Sequence, residues 1–169
     1  MYTIDDQDTV TELKDVPQSC TGAPCPLVLC GDNFLHLAYF LNEPIENWDG
    51  RPRSVGVNTP GKLCALIRFK FPDSHMFGLL NDECCPGHPL AKRGLRYYSV
   101  SVVNNSSWIR ALERLNSEHP RRNAIPYDGY KHFIFAFHDN VFECVAEGFE
   151  LTTHRGSVAS VLRDSWPDR

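Results

Sequence analysis

Between His132 and Glu150 the chain reads HFIFAFHDNVFECVAEGFE, and this stretch restricts the fold most strongly. Phenylalanines at 133, 135 and 137 alternate with other residues before the Asp139-Asn140 pair, and Phe142, Cys144 and Ala146 continue the alternation after it. A period of two belongs to β-strands, because successive side chains point to opposite faces. Two such runs about a short polar pair predict a hairpin. With Asp139-Asn140 as the turn, His138 stands opposite Val141, Phe137 opposite Phe142, Ala136 opposite Glu143 and His132 opposite Glu147. One face then holds only Phe133, Phe135, Phe137, Phe142, Cys144 and Ala146, and must be a core face. The other mixes His132, His138, Glu143 and Glu147 with Ile134, Ala136, Val141 and Val145. That face carries more apolar surface than a strand turned to water needs, and it reads as the lining of a pocket.

The rest of the chain supplies more strands. PLVLCGDNFLHLAYFL predicts a first hairpin, with strands at 27–30 and 33–41 about a Gly31-Asp32 turn of the primed type. The segment 42–61 is dense in Gly and Pro and reads as a long loop with at most a short extended piece at 54–57. LCALIRFKF follows as a half-buried strand, with Ile67, Phe69 and Phe71 on its apolar side. Residues 72–95 form a long connection containing one short helix at HPLAKRG, and RYYSVSVV is a further strand. The main helix is expected at about 105–118, where Asn104 to Ser107 offer N-caps and Trp108, Ile109, Ala111, Leu112 and Leu115 make its apolar face. Ser157 is expected to cap a short C-terminal helix burying Val158, Val161 and Leu162. The sum is an α+β, antiparallel β-rich domain of about six strands, either a partly closed barrel or a two-sheet sandwich. All 169 residues fit one globular domain, with 1–19 as a flexible or edge segment.

Charge and cysteine usage narrow the function. A formal net charge of −4 argues against broad nucleic-acid binding, which needs an excess of cations. The longest apolar runs fall far below the roughly 18 residues of a membrane helix, and the acidic N-terminus lacks a secretory signal. The expectation is a soluble, cytoplasmic protein without nucleic-acid or membrane partners, for which a homodimer is admissible. Seven cysteines are an odd number, and a reducing compartment would keep them as thiols.

Three chemistries compete for the site. A small-ligand-binding module, with a pocket by the final hairpin, is the leading expectation, and Trp48, Tyr98, Arg121 and Arg122 are its candidate ligand contacts, the arginines as bidentate partners of a carboxylate or phosphate. An enzyme would draw proton-transfer groups from His132, His138, Glu143 and Glu147, pairing imidazole with carboxylate. A metalloprotein would use His75, Cys84, Cys85 and His88 in the 75–88 loop, with zinc as the fitting ion. Adjacent cysteines depart from the spacing of two to four residues usual between zinc ligands, so a structural loop is the stronger reading there. If the sheet is antiparallel throughout, this loop lies at the end opposite the Asp139-Asn140 turn, nearer His119 and His132 than His138. Cys144 points away from His138 and Glu143, which argues against a Cys-His nucleophilic pair within the hairpin. Nucleotide loops and serine-hydrolase elbow motifs are absent from the sequence.

Overall fold

The computed structural model describes residues 3–44, 54–118 and 127–167. Its strands are β1 (Thr9–Glu12), β2 (Leu27–Gly31), β3 (Phe34–Phe40), β4 (Lys62–Lys70), β5 (Ser74–Leu79), β6 (Ser99–Asn104), β7 (Lys131–Ala136), β8 (Asn140–Ala146) and β9 (Gly148–Gly156). Two α-helices, α1 (Ser107–Ser117) and α2 (Val158–Arg163), join them, with 3₁₀ turns at Asp82–Gly87, Ala91–Arg93 and Tyr127–Gly129. The α+β, antiparallel character is as expected, but the described residues hold nine strands where about six were expected. They form no closed barrel. One sheet has the order β1-β6-β7-β8-β5 and the other β2-β3-β4-β9.

The core explains this layering. Leu35, Leu37, Ile67, Phe69, Phe135 and Phe142 meet between the sheets in one buried cluster, to which Phe133, Phe137 and Cys144 also belong. Phe69 packs edge-on to Phe135 and tilted against Phe142, with ring centroids 5.9 and 5.5 Å apart, geometries that aromatic quadrupoles favour. The outer face of the four-stranded sheet is also closed, because Val158, Val161 and Leu162 of α2 bury Ala38, Phe40, Cys64 and Leu66. A strand covered on both faces loses its alternation, which is why LHLAYF of β3 is buried along its whole length. The short helix is capped as its sequence predicts: Ser157 and Ser160 exchange backbone and side-chain hydrogen bonds in a capping box.

The outer face of the five-stranded sheet is the mixed face of the final hairpin. There Ile134, Ala136 and Val141 pack with Leu90, Leu95 and Val103, while Val145 packs with Trp108 and Tyr127. α1 and the 3₁₀ segments cover it, so the hairpin is buried on both faces along most of its length. Leu115, assigned to the apolar side of α1, is 70% exposed, because the buried stripe runs through Trp108, Ile109 and Leu112 instead.

The two hairpin turns fall one residue from their expected places. β7 and β8 pair His132 with Val145, Phe133 with Cys144 and Phe135 with Phe142, and Phe137 N donates to Asn140 O around a His138-Asp139 turn. His132 is therefore not opposite Glu147. The slip moves each partner by two residues, an even number, so the two faces keep their membership. In the first hairpin Gly31 pairs with Phe34, leaving Asp32-Asn33 as the turn. Neither turn has a central residue at positive φ, so the primed geometry expected at Gly31-Asp32 is not used. Gly31 makes room for a side chain instead: a Cβ there would lie 2.3 Å from the Phe34 ring and would have to displace it.

The two sheets are joined at a corner. β4 passes to β5 through Phe71, at φ 47° and 70% exposed, and Asp73 N donates to Val145 O. β8 passes to β9 at Glu147, whose N–H donates to Lys70 O. Phe71 thus leaves the alternation of β4 and does not join Ile67 and Phe69 in the core. The extended piece expected at 54–57 is not a strand. The N-terminal segment is an edge: β1 pairs with β6, Leu13 N donates to Val100 O, and the chain then crosses to the other sheet, where Cys20 N donates to Phe40 O.

Candidate functional site

The outer face of the hairpin holds a buried polar chain. His132 on β7 and Glu143 on β8 are diagonal neighbours, with Nε2 2.9 Å from Oε2. His132 is fully buried, and Glu143 and Ser106 are 7% and 4% exposed. Ser106 follows β6, the other neighbour of β7, and its Oγ lies 2.9 Å from His132 Nδ1. Ser106 is also the N-cap of α1, its Oγ accepting from Ile109 N at 3.3 Å. A carboxylate can only accept, so the neutral imidazole keeps its proton on Nε2, donates it to Glu143, and presents Nδ1 as the acceptor for the Ser106 hydroxyl. The Trp108 ring meets the imidazole edge-on, with centroids 5.1 Å apart. On the far side His88 Nδ1 accepts from Leu90 N at 3.1 Å, which directs His88 Nε2–H toward Glu143 Oε1, 3.6 Å away. Buried groups at this density require hydrogen-bond partners, and Ser106, His132 and Glu143 find them in one another through two 2.9 Å contacts.

The backbone places these groups. Asn105 adopts φ 50°, a conformation asparagine tolerates better than most residues. That one residue turns the end of β6 sharply into α1 and puts Ser106 beside His132. The first helical amide, Ser107 N, is taken by Asp8 Oδ1 at 2.7 Å, and Asp8 Oδ2 accepts from Asp5 N. A carboxylate at this position also suits the helix dipole. A groove of about 450 Å³ opens beside the elbow, with Ser106, Ile109, Arg110, Tyr130 and Lys131 among its walls.

A second cluster sits at the hairpin turn. Tyr98, at φ 58°, donates to Asp82 Oδ2 at 2.5 Å, and with its only proton so used it accepts from His138 Nδ1 at 2.7 Å. The Asp82 hydrogen bond pushes the Tyr98 phenol up to about 12. In return the Tyr98 and His138 hydrogen bonds hold the Asp82 carboxyl below its usual range. His138 is half-buried and does not reach Glu143.

Beside this cluster, between the sheets, lies a cavity of about 430 Å³. Tyr39, Val100 and Phe137 line it, and residues 12–19 cross over it with Glu12, Lys14 and Gln18 among them. Tyr98 and Ala136 complete the side next to the turn.

The expected site residues are thus divided. His132 and Glu143 meet, whereas Glu147 is exposed at the sheet corner. Tyr98 borders the cavity, and Trp48, Arg121, Arg122 and His119 lie outside the described residues. Although His75, paired with Cys144 on β8, lies toward the end of the sheet opposite the hairpin turn, the 80–88 segment does not. Leu80 N donates to Asp139 O and Asp82 N to His138 O, which ties it to that turn. The reason is β5, a traverse of the sheet read as loop, which returns the chain to the turn end. Among the described residues no three His, Cys, Asp or Glu side chains are arranged to hold a metal ion. Cys84 and His75 are exposed, and His88 is buried against Glu143. Cys144 points into the inner core, where burial pushes its thiol well up and leaves it inert. Sequence alone offers Ser106 only as one of several caps. The signal that singles it out is tertiary, the pairing of β6 with β7.

No helix among the described residues is long and apolar enough to cross a membrane. The chain matches no protein-family model, no curated protein and no solved structure.

Proposed function

We propose that the chain is a small-ligand-binding module whose ligand occupies the cavity between the sheets, beside the final hairpin. The observation that carries the reading is the cavity itself: about 430 Å³, with an aromatic and aliphatic floor of Tyr39, Val100 and Phe137 and a polar edge of Glu12, Lys14 and Gln18. Ligand sites are typically concave, mostly apolar and furnished with a few polar groups that fix orientation, with volumes of about 300 to 1,000 Å³. Tyr98 adds support. A bulky residue at positive φ is a costly conformation that persists where surrounding contacts hold it, and such residues gather at binding sites.

A fitting ligand is a small, largely apolar organic molecule with one polar or charged end, its apolar body on Phe137 and Val100 and its polar end toward residues 12–18. The test is titration of the folded protein with 8-anilinonaphthalene-1-sulfonate, an aromatic anion of suitable size, followed by fluorescence. Saturable binding at one site, weakened at least about tenfold by the cavity-filling Val100→Trp variant, is the expected result. Equal binding by that variant, with its fold verified by circular dichroism, would remove the cavity from consideration.

A further inference from the structure

The groove at the β6–α1 elbow is separate from the cavity: it opens on the α1 side of the five-stranded sheet, whereas the cavity lies between the sheets. Three observations converge there. Ser106, His132 and Glu143 are joined by two 2.9 Å contacts in the order hydroxyl, imidazole, carboxylate. The polarity follows from Glu143, since a carboxylate only accepts: His132 Nε2–H donates to it, and the neutral imidazole presents Nδ1 as the acceptor for the Ser106 proton. The hydroxyl end of this relay, Ser106, belongs to the wall of the groove, while the carboxylate end lies inward beneath His88. A polar chain built only to tie α1 to the sheet has no need of a groove at its serine end.

We propose that Ser106 is the nucleophile of an acyl-transfer site that hydrolyses small esters, with His132 as its general base and Glu143 as the residue that positions the imidazole. Ser106 Oγ attacks the ester carbonyl carbon and its proton passes to His132 Nδ1. The tetrahedral intermediate collapses with cleavage of the carbon–oxygen bond to the leaving group, which departs as an alcohol carrying that proton. Water then attacks the acyl-serine, giving its proton to the same Nδ1. The acid is released as Ser106 recovers the proton, so one ester and one water become one acid and one alcohol. Glu143 accepts the Nε2–H throughout and stabilises the imidazolium that forms twice. The imidazole is used in the sense opposite to the usual triad, Nδ1 toward serine and Nε2 toward the carboxylate, and either ring nitrogen can serve as the base.

The groove also restricts the substrate. Arg110 lies one helical turn after Ser106, its guanidinium donating to Asn105 O and paired with Asp5, so a fixed positive charge stands beside the elbow to receive the developing oxyanion. Val103, Ile109 and Tyr130 supply the apolar wall. A volume of about 450 Å³ and this lining suit a short, uncharged acyl group.

The test uses the folded full chain and a fluorophosphonate probe, which forms a serine–phosphorus bond and releases fluoride as His132 takes the proton. Intact mass and peptide mapping should show one adduct, on Ser106, that is lost when the protein is unfolded before exposure. Ser106→Asn keeps an N-cap side chain and removes the nucleophile, so it should fold and remain unlabelled. Glu143→Gln should slow labelling by about a hundredfold. It should also move the acid limb of the labelling rate to lower pH, since the imidazolium then faces His88 and an amide in place of a carboxylate. A merely structural role for Glu143 would leave that limb in place. Turnover of p-nitrophenyl acetate should follow the same order among the variants. Absence of an adduct in the folded protein, an adduct on another residue, or labelling unchanged in Ser106→Asn would overturn the proposal.

Discussion

His132 and Glu143 lie on neighbouring strands at a diagonal, their side chains 2.9 Å apart in a region from which water is almost wholly excluded. This contact ties β7 to β8 on the face opposite the aromatic core. Glu143→Ala removes an acceptor from a buried imidazole N–H and should cost about 1 to 3 kcal/mol. Glu143→Gln, which retains an oxygen acceptor, should cost less. Urea unfolding at neutral pH, with both variants compared at equal m-value, measures the difference.

At the hairpin turn, the Tyr98 phenol is held protonated by its donation to Asp82, which pushes its titration up to about 12. Replacing Asp82 by Asn removes the charged acceptor. Ultraviolet titration of tyrosinate should then show one phenol moving down toward 10, while Tyr98→Phe removes that phenol from the titration altogether.

His36 on β3 is buried and donates from Nδ1 to Ser165 Oγ at 3.0 Å, the serine proton being used on Leu162 O. Burial, followed by the charge of Arg68, lowers its pKa below 6.5. The unfolded chain therefore binds a proton first as pH falls, and the native state loses stability as pH drops from 6.5 toward the lower folded value. Stability from this residue is complete above that window. Urea unfolding at pH 7.5 and 5.5 should show the loss, and His36→Asn should reduce it.

Phe142 is fully buried and packs against Phe69 and Phe135 where the sheets face each other. Phe142→Ala should destabilise the fold by about 3 to 5 kcal/mol, through lost transfer energy and the cavity left behind. Ser157→Ala, which removes half of the capping box on α2, should cost about 1 kcal/mol. Thermal or urea unfolding of the two variants separates core from cap by this ratio.

The final hairpin was legible because the alternation of Phe133, Phe135 and Phe137 encodes faces, and an even slip of register cannot exchange them. Its pairings were not, because turn placement depends on backbone angles. His138-Asp139 and Asn140 compete for the turn with similar chemistry. The α2 cap was legible because a capping box and its buried valines lie within a few residues of one another. β5 has little local signature, because Gly78 and the preceding Pro-Asp resemble a loop, and without this traverse the Cys84–His88 segment would fall at the other end of the sheet. The partners of His132 were half visible. Glu143 lies on the adjacent strand of the same hairpin, whereas Ser106 reaches His132, and His88 reaches Glu143, from segments whose approach no local pattern records. Positive φ at Tyr98 and Phe71 likewise has no signature in residue type, since neither favours that region.

The segment that roofs the cavity is fastened at one end by β1, and Thr9 lies opposite Asn104 in that pairing. During synthesis β1 leaves the ribosome before the other described strands, yet its partner in the sheet is β6, translated some way later. That strand waits for a partner made far later, so the roof of the cavity is synthesised long before it can be fastened and before Phe137 completes the floor.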